Sequence, residues 1–265
     1  MKYQSLAFVV ILSLSGVAIA SEDAGWGYEG ETGPDRWAAL TDAYSACSGR
    51  QQSPIDLDPN RTVEAFSPDV DLHWAAFTPE VVDTGHTIQV NTGGAGGYSM
   101  LDGKRYDLAQ FHFHHQSEHT VLGVYMPMEV HFVHVAEDGA LLVIGNFIVA
   151  GAASNVLGAV WEQIAADDQH AQEQAQGNEE SQAAEPSETE STSEIDPTTL
   201  VSDDDDSFRY RGSLTTPPCT EIVTWIVKEE AVTASQDQID AFAALYPNNS
   251  RPAQPLNRRF VLQID

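Results

Sequence analysis

Most of the chain consists of short apolar runs separated by turn residues, a pattern typical of β-strands. Four stretches predict strands on this basis: 87–90, 106–108, 141–149 and 221–227. The third is an uninterrupted apolar run, which is typical of a central, buried strand. Helical spacing is confined to three short stretches, 37–47, 155–166 and 239–245. Many strands and few helices predict a single domain that is mainly β with a few short helices (α+β).

Two further stretches, 110–114 and 129–134, also predict strands, and both carry histidines. Residues 110–114 read Gln-Phe-His-Phe-His, and residues 129–134 read Glu-Val-His-Phe-Val-His. Side chains two apart on a strand share one face, so His112 and His114 point the same way. If the two strands are antiparallel neighbours, His131 converges with them on one point.

Three converging imidazoles suit zinc, because three protein ligands leave a fourth position open for water. A closed structural site would need a fourth ligand, usually Cys, and this stretch contains none. Gln110 and Glu129 each lie two residues before a candidate ligand, on the same face, and can accept a hydrogen bond from its far ring N–H. The other histidines of the stretch lie off this face or in a loop and are expected to be structural: His115, His119 and His134.

The first twenty residues have the features of a secretory signal peptide. Lys2 supplies a positive charge, residues 6–17 form an apolar core, and Ala-Ile-Ala at 18–20 is a small-residue cleavage site. The apolar run is shorter than a membrane span, and no other stretch approaches that length without charges. The sequence therefore predicts an exported protein, periplasmic or secreted, whose mature domain spans residues 21–265 without a membrane anchor.

The chain has two cysteines, Cys47 and Cys219. An oxidising compartment favours a disulfide between them. Two free, buried thiols are the alternative.

The net charge of −28 limits the partners of the protein. Nucleic acids and anionic membranes would be repelled, so neither is an expected partner. The acidity favours solubility, and it is also compatible with adaptation to high salt, where charge repulsion is screened.

A polar, acidic segment interrupts the strand pattern. Residues 167–206 carry fourteen Asp or Glu and no Lys or Arg. Such a composition buries too little apolar surface to offset the entropy of ordering. The composition therefore predicts that residues 167 to about 193 form a disordered or solvated surface insertion. A polar helix around 170–176 is the alternative.

Eight short motifs then occur in order along nearly the whole mature chain, and together they resemble the α-class carbonic anhydrases, in particular the bacterial, exported type. They are Trp26-Gly-Tyr28, Gln52-Ser-Pro54, Gly85-His86, Gln110-Phe-His-Phe-His114, Ser117-Glu-His119, Glu129-Val-His131, Gly212-Ser-Leu-Thr-Thr-Pro-Pro218 and Arg251-Pro-Ala-Gln-Pro255. This resemblance implies a large, mostly antiparallel twisted sheet. It also implies a Zn²⁺ enzyme that hydrates carbon dioxide reversibly to bicarbonate and a proton, by attack of zinc-bound hydroxide. The implied zinc ligands are His112, His114 and His131.

The resemblance implies further roles at the same site. Thr215 would accept a hydrogen bond from the hydroxide and donate one to Glu118, and His86 would carry the proton between the site and solvent. The implied pocket for carbon dioxide is a mainly apolar wall with one neighbouring threonine: Val133, Val143, Leu214, Thr216, Val223 and Trp225. The residues flanking the shuttle depart from the Asn that is frequent in the family, since they are Thr84 and Gln89.

Two other interpretations remain open at this point. The spacing His112-x-His114-x-x-x-Glu118 also resembles the first metal motif of cupin oxygenases, which bind iron or manganese, although the second cupin motif is missing. An exported zinc-binding protein without catalysis is the other alternative. Such silent members usually lack a ligand histidine, and here all three are present. A homodimer is compatible with the sequence, which leaves the oligomeric state open.

Overall fold

A computed structural model describes residues 25–65, 70–176 and 193–264 of the chain, without the side chains of 167–176. The predicted signal peptide and residues 177–192 of the predicted insertion lie outside the described residues. Within the described ranges, no helix is both long enough and apolar enough to cross a membrane.

The described residues form fifteen strands, which agrees with the prediction of a mainly β domain. In chain order they are β1 (Asp56–Leu57), β2 (Val63–Glu64), β3 (Asp71–Trp74), β4 (Glu80–Asp83), β5 (Ile88–Asn91), β6 (Gly97–Leu101), β7 (Lys104–His115), β8 (Thr120–Val121), β9 (Val124–Tyr125), β10 (Met128–Val135), β11 (Leu141–Ala150), β12 (Ser207–Gly212), β13 (Val223–Lys228), β14 (Val232–Ala234) and β15 (Leu262–Ile264).

Twelve of these strands make one sheet, whose main path runs β2-β15-β12-β13-β11-β10-β7-β5-β4. Strands β1, β8 and β9 make a separate small sheet. Most neighbours in the large sheet are antiparallel, as expected. The pairs β11–β13, β11–β14 and β15–β2 are parallel, so the sheet is mixed.

Three α-helices lie among the strands: α1 (Trp37–Leu40), α2 (Asn155–Gln176) and α3 (Gln236–Leu245). Short 3₁₀ helices occur at Gly30–Thr32, Asp42–Ser48, Pro59–Arg61 and Pro197–Leu200. Helix α3 begins at a capping box, in which Ser235 accepts a hydrogen bond from the backbone N–H of Gln238.

Two helix predictions need correction. The expected helix over 37–47 is broken at Thr41, whose backbone is extended (φ −159°, ψ 155°), so α1 and a 3₁₀ helix take its place. The helix expected to end at residue 166 continues to Gln176. The first ten residues of the acidic segment are therefore helical, which was the alternative interpretation for them.

The alternation in β7 and β10 separates the two faces of the sheet. Phe111, Phe113 and Phe132 are fully buried in the larger core, which also takes in the buried faces of α2 and α3. Burying one such side chain contributes about 1.5–3 kcal/mol relative to leaving it exposed. The histidines at the intervening positions are thereby held on the opposite face of the same two strands.

The two cysteines form the expected disulfide, with the Cα atoms of Cys47 and Cys219 4.8 Å apart. The bond joins the segment after α1 to the loop between β12 and β13. It closes a loop of 172 residues, for which the chain-entropy model gives roughly 5 kcal/mol of stabilisation as an upper figure.

Replacing both cysteines by serine is therefore expected to lower the free energy of unfolding by up to about 5 kcal/mol. Chemical denaturation of the two proteins measures the difference. Adding a thiol reductant should lower the midpoint of the wild type and leave that of the variant unchanged. A wild-type midpoint that does not respond to reductant would count against a stabilising bridge.

Candidate metal centre and active site

Strand register brings the three predicted ligands together. His131 of β10 lies directly opposite His112 of β7 in the antiparallel pair, and His114 lies one pleat further along β7. One ring nitrogen from each of these histidines lies within 4.8 Å of those of the others. The convergence expected from strand parity is thus present in the structure.

One hydrogen bond fixes the orientation of each ring. Nδ1 of His112 is 2.9 Å from Oε1 of Gln110, and Nε2 of His131 is 2.8 Å from Oε1 of Glu129. Nδ1 of His114 is 2.8 Å from the carbonyl oxygen of Asn249. Because all three partners are oxygen acceptors, these nitrogens carry the proton, and the lone pairs belong to Nε2 of His112 and His114 and Nδ1 of His131.

Burial sets the charge of two of the rings. It lowers the pKa of His114, and it lowers the pKa of His112 well below the usual value, so both are neutral at pH 7. Burial also acts to lower the pKa of His131, but the Glu129 carboxylate outweighs it and raises this pKa overall. Neutral imidazole is the form that binds metal, so the raised pKa of His131 means that protons compete with a metal for this ring.

Glu129 is the centre of the polar network behind the site. Its two carboxylate oxygens accept hydrogen bonds from the rings of His119 and His131 and from the backbone N–H groups of Glu118 and His119. Burial acts to raise the pKa of Glu129, but the adjacent His119 and His131 outweigh it and hold this pKa well below its usual range. Gly145 makes room for the carboxylate, because a Cβ there would lie 2.9 Å from Oε1.

Two buried atoms at this point have no hydrogen-bond partner among the described residues: Nε2 of His114 and Oε2 of Glu118. Leaving a buried polar atom unsatisfied costs about 1–3 kcal/mol, so such atoms point to a missing partner. A cation held by the three imidazole lone pairs would satisfy His114. Three histidine nitrogens without cysteine are a donor set that suits an open zinc site, so the residues present fit Zn²⁺.

Glu118 faces the same point. Its Oε1 accepts a hydrogen bond from the backbone N–H of Arg251 at 2.8 Å, and its Oε2 lies 3.6 Å from Nε2 of His114. The expected hydrogen bond from the Thr215 hydroxyl to Glu118 is not formed here, since Oε2 has no partner. Oε2 lies instead 3.8 Å from Nδ1 of His131, beside the lone-pair nitrogens of His114 and His131.

Cross-strand neighbours form the apolar side of the site. Val133 of β10 lies opposite Val143 of β11, which lies opposite Trp225 of β13. The Trp225 ring centroid is 4.8 Å from that of His131. Of the six residues predicted for the carbon dioxide pocket, five belong to one apolar cluster: Val133, Val143, Leu214, Val223 and Trp225. Thr216 is half-buried in the β12–β13 loop, where its carbonyl accepts from the N–H of Cys219.

His86 lies in the turn between β4 and β5 and stacks on Trp26 of the N-terminal arm. The ring centroids are 3.8 Å apart and the planes differ by 15°. The two residues that flank His86 form hydrogen bonds with near neighbours in the chain. The Thr84 hydroxyl donates to the carbonyl of Thr87, and the Gln89 amide donates to Asn91. The stack on Trp26 was not predicted, although both residues lie in motifs that carry the resemblance.

The remaining histidines of the stretch have their own hydrogen-bond partners. His119 contacts Glu129 and the hydroxyl of Tyr210, and His115 contacts the carbonyl of Pro247. His134 contacts Ser99 and a backbone carbonyl, and burial lowers its pKa to about 4. None of these three contributes to the cluster of His112, His114 and His131.

Comparison with known proteins identifies the family. A family model described as eukaryotic-type carbonic anhydrase matches residues 32–264. A carbonic anhydrase from Pectobacterium carotovorum is 36% identical over 259 residues, which cover 97% of this chain and 98% of that protein. One from a Nostoc species is 36% identical over 90% of this chain and 85% of that protein.

Among solved structures, the α-carbonic anhydrase from Thermovibrio ammonificans in complex with sulfanilamide is similar over 89% of this chain and 98% of that one. The two are 40% identical, with a TM-score of 0.75. The chain belongs to the eukaryotic-type, or α-class, carbonic anhydrases, which are enzymes that hydrate carbon dioxide. The cupin interpretation is not supported by this fold or by these relatives.

Proposed function

We propose that this protein catalyses the reversible hydration of carbon dioxide to bicarbonate and a proton with one Zn²⁺ held by His112, His114 and His131. The observation that carries the proposal is the set of three imidazole nitrogens within 4.8 Å of one another. The opposite nitrogen of each ring is held by an oxygen acceptor. The site is preorganised for a metal that prefers nitrogen ligands.

A bound zinc acts as a Lewis acid and lowers the pKa of water to about 7, a general value that was established on carbonic anhydrases and is not a result of this structure. The chain supplies the other functions. Val143 and Trp225, beside His131, form a dry surface against which carbon dioxide can lie. The Thr215 hydroxyl would orient the attacking oxygen by accepting its proton in a hydrogen bond. In that role Thr215 would donate its own proton to Oε2 of Glu118, which has no hydrogen-bond partner among the described residues.

Stopped-flow hydration of carbon dioxide by the mature protein, with metal content determined on the same sample, tests this proposal. We expect rapid turnover with about one zinc per chain. Zinc without turnover would favour the alternative of a catalytically silent, zinc-binding member. Iron or manganese without turnover would contradict the proposed cofactor.

We also propose that His86 carries the proton to solvent, because a histidine with an unperturbed pKa of about 6.5 can accept and release a proton near neutral pH. In weak buffer, His86→Ala is expected to lower kcat by about tenfold or more, while kcat/KM for carbon dioxide is unchanged. Added imidazole should restore kcat. Equal kcat for variant and wild type in weak buffer would contradict the assignment, and His73→Ala, an exposed histidine outside the site, is the matched control.

We also propose that the protein is exported from the cytoplasm. The disulfide supports it, since such bonds persist in oxidising compartments. N-terminal sequencing of the protein from its native cells should begin at Ser21. A mature chain that retains Lys2 would contradict the predicted cleavage.

A further inference from the structure

The short segment Tyr246–Asn249, directly after α3, contacts both parts of the proposed proton path. Asn249 is almost completely buried, and its side chain uses both of its polar atoms. Nδ2 donates to the carbonyls of His86 and Phe113, each at 3.0 Å. Oδ1 accepts from the backbone N–H of His115 at 2.7 Å. One amide group thus joins the His86 turn to the strand that carries two of the three ligand histidines.

The other end of the segment holds the beginning of the same turn. The hydroxyl of Tyr246 donates a hydrogen bond to the carboxylate of Asp83. Asp83 also accepts from the backbone N–H of Gly85 at 2.7 Å, and the Thr84 hydroxyl accepts from the N–H of Thr87 at 3.1 Å. Tyr246 and Asn249, which lie three positions apart in one segment, therefore anchor the turn on both sides of its apex.

The same segment also fixes a ligand ring. The backbone carbonyl of Asn249 accepts from Nδ1 of His114, and its backbone N–H donates to the carbonyl of His115. Asn249 thus contacts both the His86 turn and a ligand ring, in addition to the direct link between the turn and β7 made by the Thr87 hydroxyl and the carbonyl of Phe113. We propose that Asn249 and Tyr246 are positioning residues that hold the His86 turn at a fixed distance from the metal centre, so that His86 can transfer protons efficiently.

This inference rests on the proposed function, because it assigns a role in proton transfer. A purely structural role predicts a different outcome: loss of stability with no selective effect on proton transfer. The positioning role and the purely structural role can be distinguished by kinetics. The ratio kcat/KM reports carbon dioxide hydration, whereas kcat in weak buffer reports the return of the site to its reactive protonation state.

Two variants of the mature protein test the proposal. Tyr246→Phe removes one partly exposed hydrogen bond and keeps the ring, and Asn249→Ala removes the buried amide but keeps the backbone carbonyl that holds His114. The net contribution of one hydrogen bond corresponds to a factor of about 3 to 10 in an equilibrium constant. In weak buffer we therefore expect kcat to fall about threefold in Tyr246→Phe and about tenfold in Asn249→Ala. In Tyr246→Phe, kcat/KM should be unchanged, and imidazole should restore kcat in both variants. Tyr125→Phe, an exposed tyrosine on the separate small sheet, is the matched control.

A second readout does not depend on activity. Nuclear Overhauser contacts between the rings of His86 and Trp26, measured in the metal-free protein, report the position of the turn. We expect them to be present in the wild type and in Tyr125→Phe, and weakened in Tyr246→Phe and Asn249→Ala.

Wild-type kcat and ring contacts in both variants would overturn the inference, as would parallel losses of kcat and kcat/KM that imidazole does not restore. If Asn249→Ala does not fold, Tyr246→Phe decides between these outcomes. A wild type that does not hydrate carbon dioxide would instead refute the proposed function. The ring contacts would then still show whether Tyr246 and Asn249 position the turn.

Discussion

Replacing His131 by alanine is expected to remove zinc and activity together, with a loss of roughly 10⁴-fold or more in carbon dioxide hydration. His131 supplies one of three ligands, so its loss leaves two nitrogens, which are too few to hold the metal in an open, catalytic geometry. Oε1 of Glu129 keeps its hydrogen bond from the His119 ring, so the network behind the site retains a partner. The fold should therefore survive the substitution.

Metal content by mass spectrometry and stopped-flow hydration on the same preparations measure both effects. His134→Ala removes a histidine from the same strand, but from the opposite face, and should keep about one zinc per chain. Circular dichroism of both variants checks that each is folded. A His131→Ala protein that binds one zinc and turns over like the wild type would refute the assignment of the ligands.

The convergence of His112, His114 and His131 could be predicted from the sequence because it depends on one local rule. Alternation in a strand places His112 and His114 on one face, and a single assumption, that the two strands are neighbours, adds His131. The structure confirms that assumption through the pairing of β7 with β10. Gln110 and Glu129 followed from the same parity, since each lies two residues before its histidine.

Contacts between distant parts of the chain could not be predicted in this way. Asn249 reaches His114 across 135 residues, and Arg251 reaches Glu118 across 133. No periodicity encodes such contacts, because they depend on how the C-terminal loop passes over the sheet. Gly145 is similar, since the space that it leaves for Glu129 is a property of two paired strands.

The continuation of α2 through Gln176 illustrates a different error. Residues 167–176 are polar and acidic, and their low hydrophobicity predicted a disordered or solvated insertion, with a polar helix around 170–176 only as the alternative. Ala, Gln and Glu are nevertheless among the strongest helix formers, so a helix nucleated by the packed residues before 167 can extend at little cost.

Removing the Thr215 hydroxyl is expected to preserve zinc and to slow the reaction by about 10²-fold, the usual effect of losing one preorganised hydrogen-bonding group. Thr215→Val keeps the shape of the side chain and removes its ability to donate to Glu118. Glu118→Gln should have a similar effect, because the amide can present an N–H where Oε2 now has a lone pair. Oε2 of Glu118 is buried beside the three-histidine cluster and has no partner among the described residues, so it is available to accept a hydrogen bond from the Thr215 hydroxyl in the proposed relay.

A double-mutant cycle distinguishes a relay from two independent contributions. If Thr215 and Glu118 act as one unit, the double variant should be about as slow as the slower single variant, because the second change removes nothing further. Independent roles would instead multiply the two losses, to about 10⁴-fold. Steady-state kcat/KM of the four proteins, each with its zinc content measured, gives the coupling free energy. Multiplicative losses at full zinc occupancy would show that the Thr215 hydroxyl does not act through Glu118.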